Sequence, residues 1–102
     1  MAKTSEPELG RAMMLVLAGE PNGEATVRTL IKKLPDHIAL TPEDHEQSDT
    51  RPNEEMWEQR VRNSKSHDKT PGNVIGEGYV EHVRRGWYRL TDAGRKRLGL
   101  SS

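Results

Sequence analysis

Cysteine and phenylalanine are absent from this 102-residue chain, and two tryptophans and two tyrosines make up its whole Phe/Trp/Tyr content. Without cysteine it has neither a disulfide nor a thiolate metal site, which fits a reducing, cytoplasmic setting. No run of about 18 apolar residues occurs, which excludes a membrane-spanning helix. The first apolar stretch, Ala12–Ala18, is short and follows Glu6 and Glu8, a pattern unlike a secretory leader. His37, His45, His67 and His82 are scattered, with no HExxH or similar metal-binding spacing. GxSxG, P-loop and GxGxxG motifs are also missing; Gly76-Glu77-Gly78 lacks the third glycine. Asp44-His45-Glu46 has ligand-type chemistry, yet it reads better as an acidic solvated loop. The expectation is a non-catalytic protein with no catalytic residues, no metal and no cofactor.

What is present is mostly polar. Apolar and charged residues each make up 31%, and the mean hydropathy is −0.92. Such a chain builds one thin core, so a single domain over 1–102 is expected, with its ordered part at about 6–98. The formal net charge is zero, but it is unevenly spread. Residues 1–50 carry five Lys and Arg against nine Asp and Glu; residues 51–102 carry eleven against seven. A basic half in a neutral chain is one footprint of a nucleic-acid surface, and equally of an ordinary mixed surface.

Ser5-Glu6-Pro7-Glu8 is a helix start with a capping box. Leu9, Met13, Val16 and Leu17 then form one apolar stripe, ended by Gly19 and Pro21. Glu24-Ala25 suits a very short strand, and Thr26 caps a second helix whose Val27, Leu30, Ile31 and Leu34 share a face. Residues 36–53 are expected to be an exposed loop with one helical turn at Thr41–Asp44. Asn53 is placed as the cap of a third helix, with Glu54 and Glu55 in its first turn and its end at or before Thr70. Trp57, Val61 and Ser64 of that helix would face the core, leaving Gln59, Arg62, Asn63 and Ser66 on the opposite side. Arg60 is expected to pair with Glu54 or Glu58. Tyr79–Val83 and Trp87–Leu90 form a hairpin across Arg84-Arg85-Gly86, and Thr91-Asp92 caps a last helix over Ala93–Leu98. This order predicts an α+β winged helix-turn-helix: three helices, a β-hairpin wing and a short C-terminal helix.

Glu24-Ala25-Thr26-Val27-Arg28, Leu40-Thr41-Pro42-Glu43-Asp44, Trp57-Glu58-Gln59-Arg60-Val61-Arg62 and Gly86-Trp87-Tyr88-Arg89-Leu90-Thr91 with Gly94 together resemble one known domain. It is the N-terminal winged-helix domain of Mrr-type restriction endonucleases, with relatives attached to other nucleases that act on modified DNA. The resemblance spans most of residues 8–98. The chain departs from the pattern after Arg62, where Asn63–Asn73 is polar and contains Pro71-Gly72. The resemblance implies a target-recognition module of a restriction system, with double-stranded DNA as partner and a nuclease domain in the same or a partner chain. N6-methyladenine is the modification it suggests.

Arg suits guanine, and Asn or Gln suit adenine, in the major groove. Gln59, Arg62, Asn63 and Ser66 are therefore the candidate base-reading residues. Lys65, His67, Lys69, Arg84, Arg85 and Trp87 are the candidates for the DNA backbone and wing contacts. Trp57 or Trp87 would supply the apolar contact that a methylated base needs. Two other classes fit the same pattern. A protein-interaction winged helix would use Trp87 and the acidic half; a small transcriptional regulator would need a dimer matched to two half-sites.

Overall fold

The computed structural model describes residues 3–48 and 53–100. Helix α1 (Glu6–Ala18) starts where the sequence places it: Ser5 Oγ accepts the Glu8 N–H, and its hydroxyl donates to the Glu8 carboxylate at 2.8 Å. The reciprocal contact thus runs through the Ser5 hydroxyl rather than its backbone N–H. Leu9, Met13, Val16 and Leu17 are all buried. A 3-10 turn at Pro21–Gly23 leads into strand β1 (Glu24–Thr26), and Thr26 Oγ1 caps helix α2 (Val27–Lys33) by accepting the Thr29 N–H. The α2 stripe buries Val27 and Leu30, and Leu34 just beyond it, before Pro35.

The hairpin is formed by β2 (Val80–Arg84) and β3 (Trp87–Leu90). With β1 they make an antiparallel sheet in the order β1-β3-β2. Ala25 pairs with Tyr88 and Val80 with Leu90, and these four side chains face inward and are buried. Period-2 alternation turns Glu24, Thr26, Glu81, Trp87 and Arg89 to the outer face. A bulge between His82 and Arg84 interrupts the pairing. Arg84 is the last residue of β2 and pairs with Trp87, so the loop is only Arg85-Gly86. Gly86 has φ 76°, left-handed backbone that other residues adopt only at a cost. Its carbonyl accepts the Val27 N–H at 2.9 Å, which seats the tip of the wing against the start of α2. Thr91 caps the final helix α4 (Asp92–Arg97). Among the described residues these helices, a further one over Met56–Arg62 (α3) and this sheet make the α+β winged-helix arrangement predicted. Among the described residues no helix is long and apolar enough to cross a membrane.

Three expectations about the middle of the chain are corrected. Helix α3 covers only Met56–Arg62, followed by a 3-10 turn at Ser64–His67. Asn53, Glu54 and Glu55 are not its cap and first turn, because Glu46–Ser48 pairs with this stretch. Ser48 N–H donates to Glu54 O at 2.9 Å and Met56 N–H to Glu46 O at 2.7 Å, which keeps Glu55 extended and both residues out of the helix. Glu55 is therefore the cap, its N–H donating to Glu58 Oε1. Secondly, the 36–53 segment is not wholly an exposed loop: Asp44 and Ser48 are buried, while residues 49–52 lie outside the described residues. Thirdly, Arg60 pairs with neither Glu54 nor Glu58. It donates to Thr4 O at 2.7 Å and to Glu6 Oε1 at 3.0 Å, tying α3 to the start of α1.

Candidate nucleic-acid interface

Trp57, Val61 and Ser64 anchor α3 in the core, and Val61 is fully inaccessible. Ser64 donates to Arg60 O, and the buried Asn73 amide donates to Ser64 O and to Glu6 Oε2. Asn73 Oδ1 also accepts the Ile75 and Gly76 N–H groups. This staple holds the polar 63–73 stretch against α3 without apolar side chains.

With its inner side fixed, α3 turns Gln59, Arg62 and Asn63 outward, each half-buried. They are not equivalent. Gln59 Oε1 accepts a short hydrogen bond from Ser48 Oγ, which orients the amide. Arg62 Nε and Nη2 both donate to Glu54 Oε2, at 2.9 and 2.6 Å. That carboxylate holds the guanidinium pKa above its ordinary value. Asn63 sits at the C-cap with φ −96° and ψ 10°, and its side-chain amide makes no hydrogen bond among the described residues. Ser66 does not continue the helical row, because the helix has ended; it lies exposed in the 3-10 turn.

Lys65, His67 and Lys69 are exposed on and just after that turn, and none has an ion-pair partner among the described residues. Asp68 is the one carboxylate among them. Burial pushes the pKa of the Tyr88 hydroxyl up, an effect that the Lys65 backbone and the Arg62 charge partly offset. At the hairpin, Arg85 is exposed and unpaired among the described residues. Arg84 is not free in the same way. It stacks over Trp87 at 4.5 Å from the ring centroid and approaches Glu24 at 3.7 Å. Trp87 and Arg84 belong to the outer sheet face, where Arg89 bridges Glu81 and Glu24, away from the face that packs on the helices. The structure thus gathers Gln59, Arg62, Asn63, Lys65, His67 and Lys69 on α3 and the turn after it. It does not bring Trp87 to them.

Neither tryptophan offers an apolar contact to that surface. Trp57 is buried and its Nε1 donates to Glu55 Oε1 at 2.9 Å. Asp44, His45 and Glu46 do not converge on a common point either. Asp44 is committed to Thr4 and Thr41, and His45 to Glu55 at 2.8 Å.

Sequence reasoning passed over His82, Met56 and Lys3. His82 shares the inward parity of Val80 and packs tilted against Tyr88, with ring centroids 5.4 Å apart, yet it is exposed. Counting by two from Val80 was the available signal. Met56 stands three residues before Gln59 and seven before Asn63, on the same helical side.

No curated protein and no solved structure matches the chain. The family model of the Mrr N-terminal domain does match, over residues 10–99, from α1 through α4. The sheet order, the capped helices and this match agree, and the chain belongs to the Mrr N-terminal domain family.

Proposed function

We propose that this domain binds double-stranded DNA as the target-recognition part of a restriction system, with α3 in the major groove. The observation that carries the proposal is the surface running from Gln59 to Lys69. It offers oriented or unengaged amides on a rigid element, followed by exposed cations with no protein partner among the described residues. In this reading Gln59, Asn63 and Ser66 address base edges, while Lys65, His67, Lys69 and Arg85 hold phosphates. Arg62 takes part only by exchanging Glu54 for a guanine edge, and Arg84 only by leaving Trp87. The domain itself is non-catalytic, and phosphodiester cleavage falls to a nuclease domain in the same or a partner chain. Work on DNA goes with a cytoplasmic location. N6-methyladenine is the modification proposed first, since Asn and Gln suit an adenine edge.

The division of labour is tested by equilibrium binding to a panel of duplexes differing in sequence and methylation. Asn63→Ala is expected to cost about 1–3 kcal/mol on the preferred duplex and much less on the others. Arg85→Ala is expected to weaken every duplex alike and to lower the salt slope by about 1. Parallel losses in both variants on every duplex would refute the assignment.

A further inference from the structure

The outward side of α3 is not flat. A concavity of about 270 Å³ opens beside it, lined by Met56, Gln59, Asn63, His67, Lys3 and Thr70 and by the Glu6–Arg60 ion pair, in which the carboxylate is neutralised. Met56, Gln59 and Asn63 follow one another at i, i+3 and i+7, so a thioether and two amides stand along one side of the helix. The amides supply donors and acceptors to a base edge. Met56 supplies a flexible, polarisable apolar chain that moulds to an irregular partner. It is only half-buried and is not part of the buried core, unlike the adjacent Trp57.

A methyl group on a base needs this mixture. It adds apolar bulk at the groove edge; a C5-methyl leaves the neighbouring hydrogen-bonding pattern intact, whereas an N6-methyl also replaces one N6 donor hydrogen and leaves N7 as the acceptor for an amide. A purely polar surface gains nothing from such a group and loses by desolvating around it. With Trp57 in the core and Trp87 on the outer sheet face, Met56 is the apolar side chain that the lining of this concavity offers. We infer that Met56 is the specificity-determining contact for a methyl group carried on the major-groove edge of a base. The shared chemistry has three sources: the C5-methyl of thymine, and the methyl groups of N6-methyladenine and 5-methylcytosine. This inference rests on the DNA-binding reading above.

The test is binding of the full chain to one mixed-sequence duplex made in four forms: unmodified, with uracil for thymine, with N6-methyladenine for adenine, and with 5-methylcytosine for cytosine. The wild-type protein is expected to separate at least one of these forms from the unmodified duplex by about fourfold, the ratio that burial of a single methyl group gives. Met56→Ala should bring that ratio close to one, its loss of affinity falling mainly on the methyl-bearing form of the pair. Alanine keeps the helix propensity of α3, so folding is retained. Met56→Leu, still apolar, should preserve the ratio. The inference is overturned if the ratio survives in Met56→Ala, if all four forms weaken together, or if the wild type does not tell them apart. In each of those cases salt-sensitive duplex binding would still leave the DNA-binding reading standing. Binding to none of the four forms would remove both.

Discussion

Raising the salt from about 50 to about 200 mM is expected to lower the affinity of this domain for duplex DNA about 150-fold. The figure follows from about four phosphate contacts, each contributing about 0.9 to the slope of log K against log salt concentration. A protein of zero net charge offers no general attraction to DNA, so a slope of this size must come from local cations. Several arginines are unavailable for it: Arg60 is held by Glu6, Arg62 by Glu54, and Arg89 by Glu81 and Glu24. Lys65, Lys69 and Arg85 are unpaired among the described residues. His67, when protonated, or Arg84, when it leaves Trp87, completes the set. Exposed, unpaired cations release counterions in full, whereas an internally neutralised arginine adds little to the slope. Fluorescence anisotropy on a short duplex across a salt series measures it. A flat response, or no binding at the lowest salt, would mean that the cations after α3 are only a solvated surface, and the recognition role would fall.

How far the molecule could be read in advance depended on whether each determinant was local. Ser5 and Thr26 bond to N–H groups three residues on, as does Thr91, and Gly86 meets a local demand for positive φ. Such features, and the Leu9–Leu17 stripe, are carried by short spacings and were legible. The start of α3 was not. Asn53-Glu54-Glu55 has the composition of a helix start, but an antiparallel bridge between Gln47 and Glu55 keeps it out of the helix. The candidate site divides along the same line. The outward direction of Gln59, Arg62 and Asn63 follows from helical periodicity, since Trp57 and Val61 must go inward. The attachment of Arg62 to Glu54 depends on where residues 54–55 lie in space. Trp87 faces the outer sheet side by simple alternation with Tyr88. That parity was visible, but the consequence, separation from α3, required the sheet order. Asn73 had no signal at all, since a polar residue in a polar run gives no hint that it will be buried.

Replacing Asp44 with asparagine is expected to cost about 2–3 kcal/mol of stability, the scale of a buried donor deprived of a charged acceptor. Asp44 is 1% exposed and lies at the meeting point of the first residues, the 41–44 turn and α3. Its Oδ1 accepts the Thr4 N–H at 3.0 Å, and Oδ2 accepts the Thr4 hydroxyl at 2.5 Å and the Thr41 N–H at 2.9 Å. Arg60 Nη1 stands 3.9 Å away while it donates to Thr4 O. An asparagine would turn its NH2 toward at least one of these donors and leave Arg60 less neutralised. For a domain of this size the loss corresponds to a fall in Tm of about 10–20 °C. Burial alone would raise the Asp44 pKa, but the hydrogen bonds from Thr4 and Thr41 outweigh it and hold the carboxyl below its ordinary range. A carboxyl with a depressed folded pKa contributes fully above its unfolded value and loses that contribution as pH falls through the folded one. The gap in stability between wild type and Asp44→Asn should therefore be constant near neutrality and narrow below about pH 4. Chemical denaturation at a series of pH values measures it. A gap of the same size at pH 7 and at the acid end would show that the charge contributes nothing and that only shape matters there. Since Thr4, Arg60 and, through Glu6, Asn73 all depend on this point, losing it also loosens the support of α3. Duplex preference should then decline in Asp44→Asn even at temperatures where the variant remains folded, because amides on an unsteady helix no longer meet base edges in register.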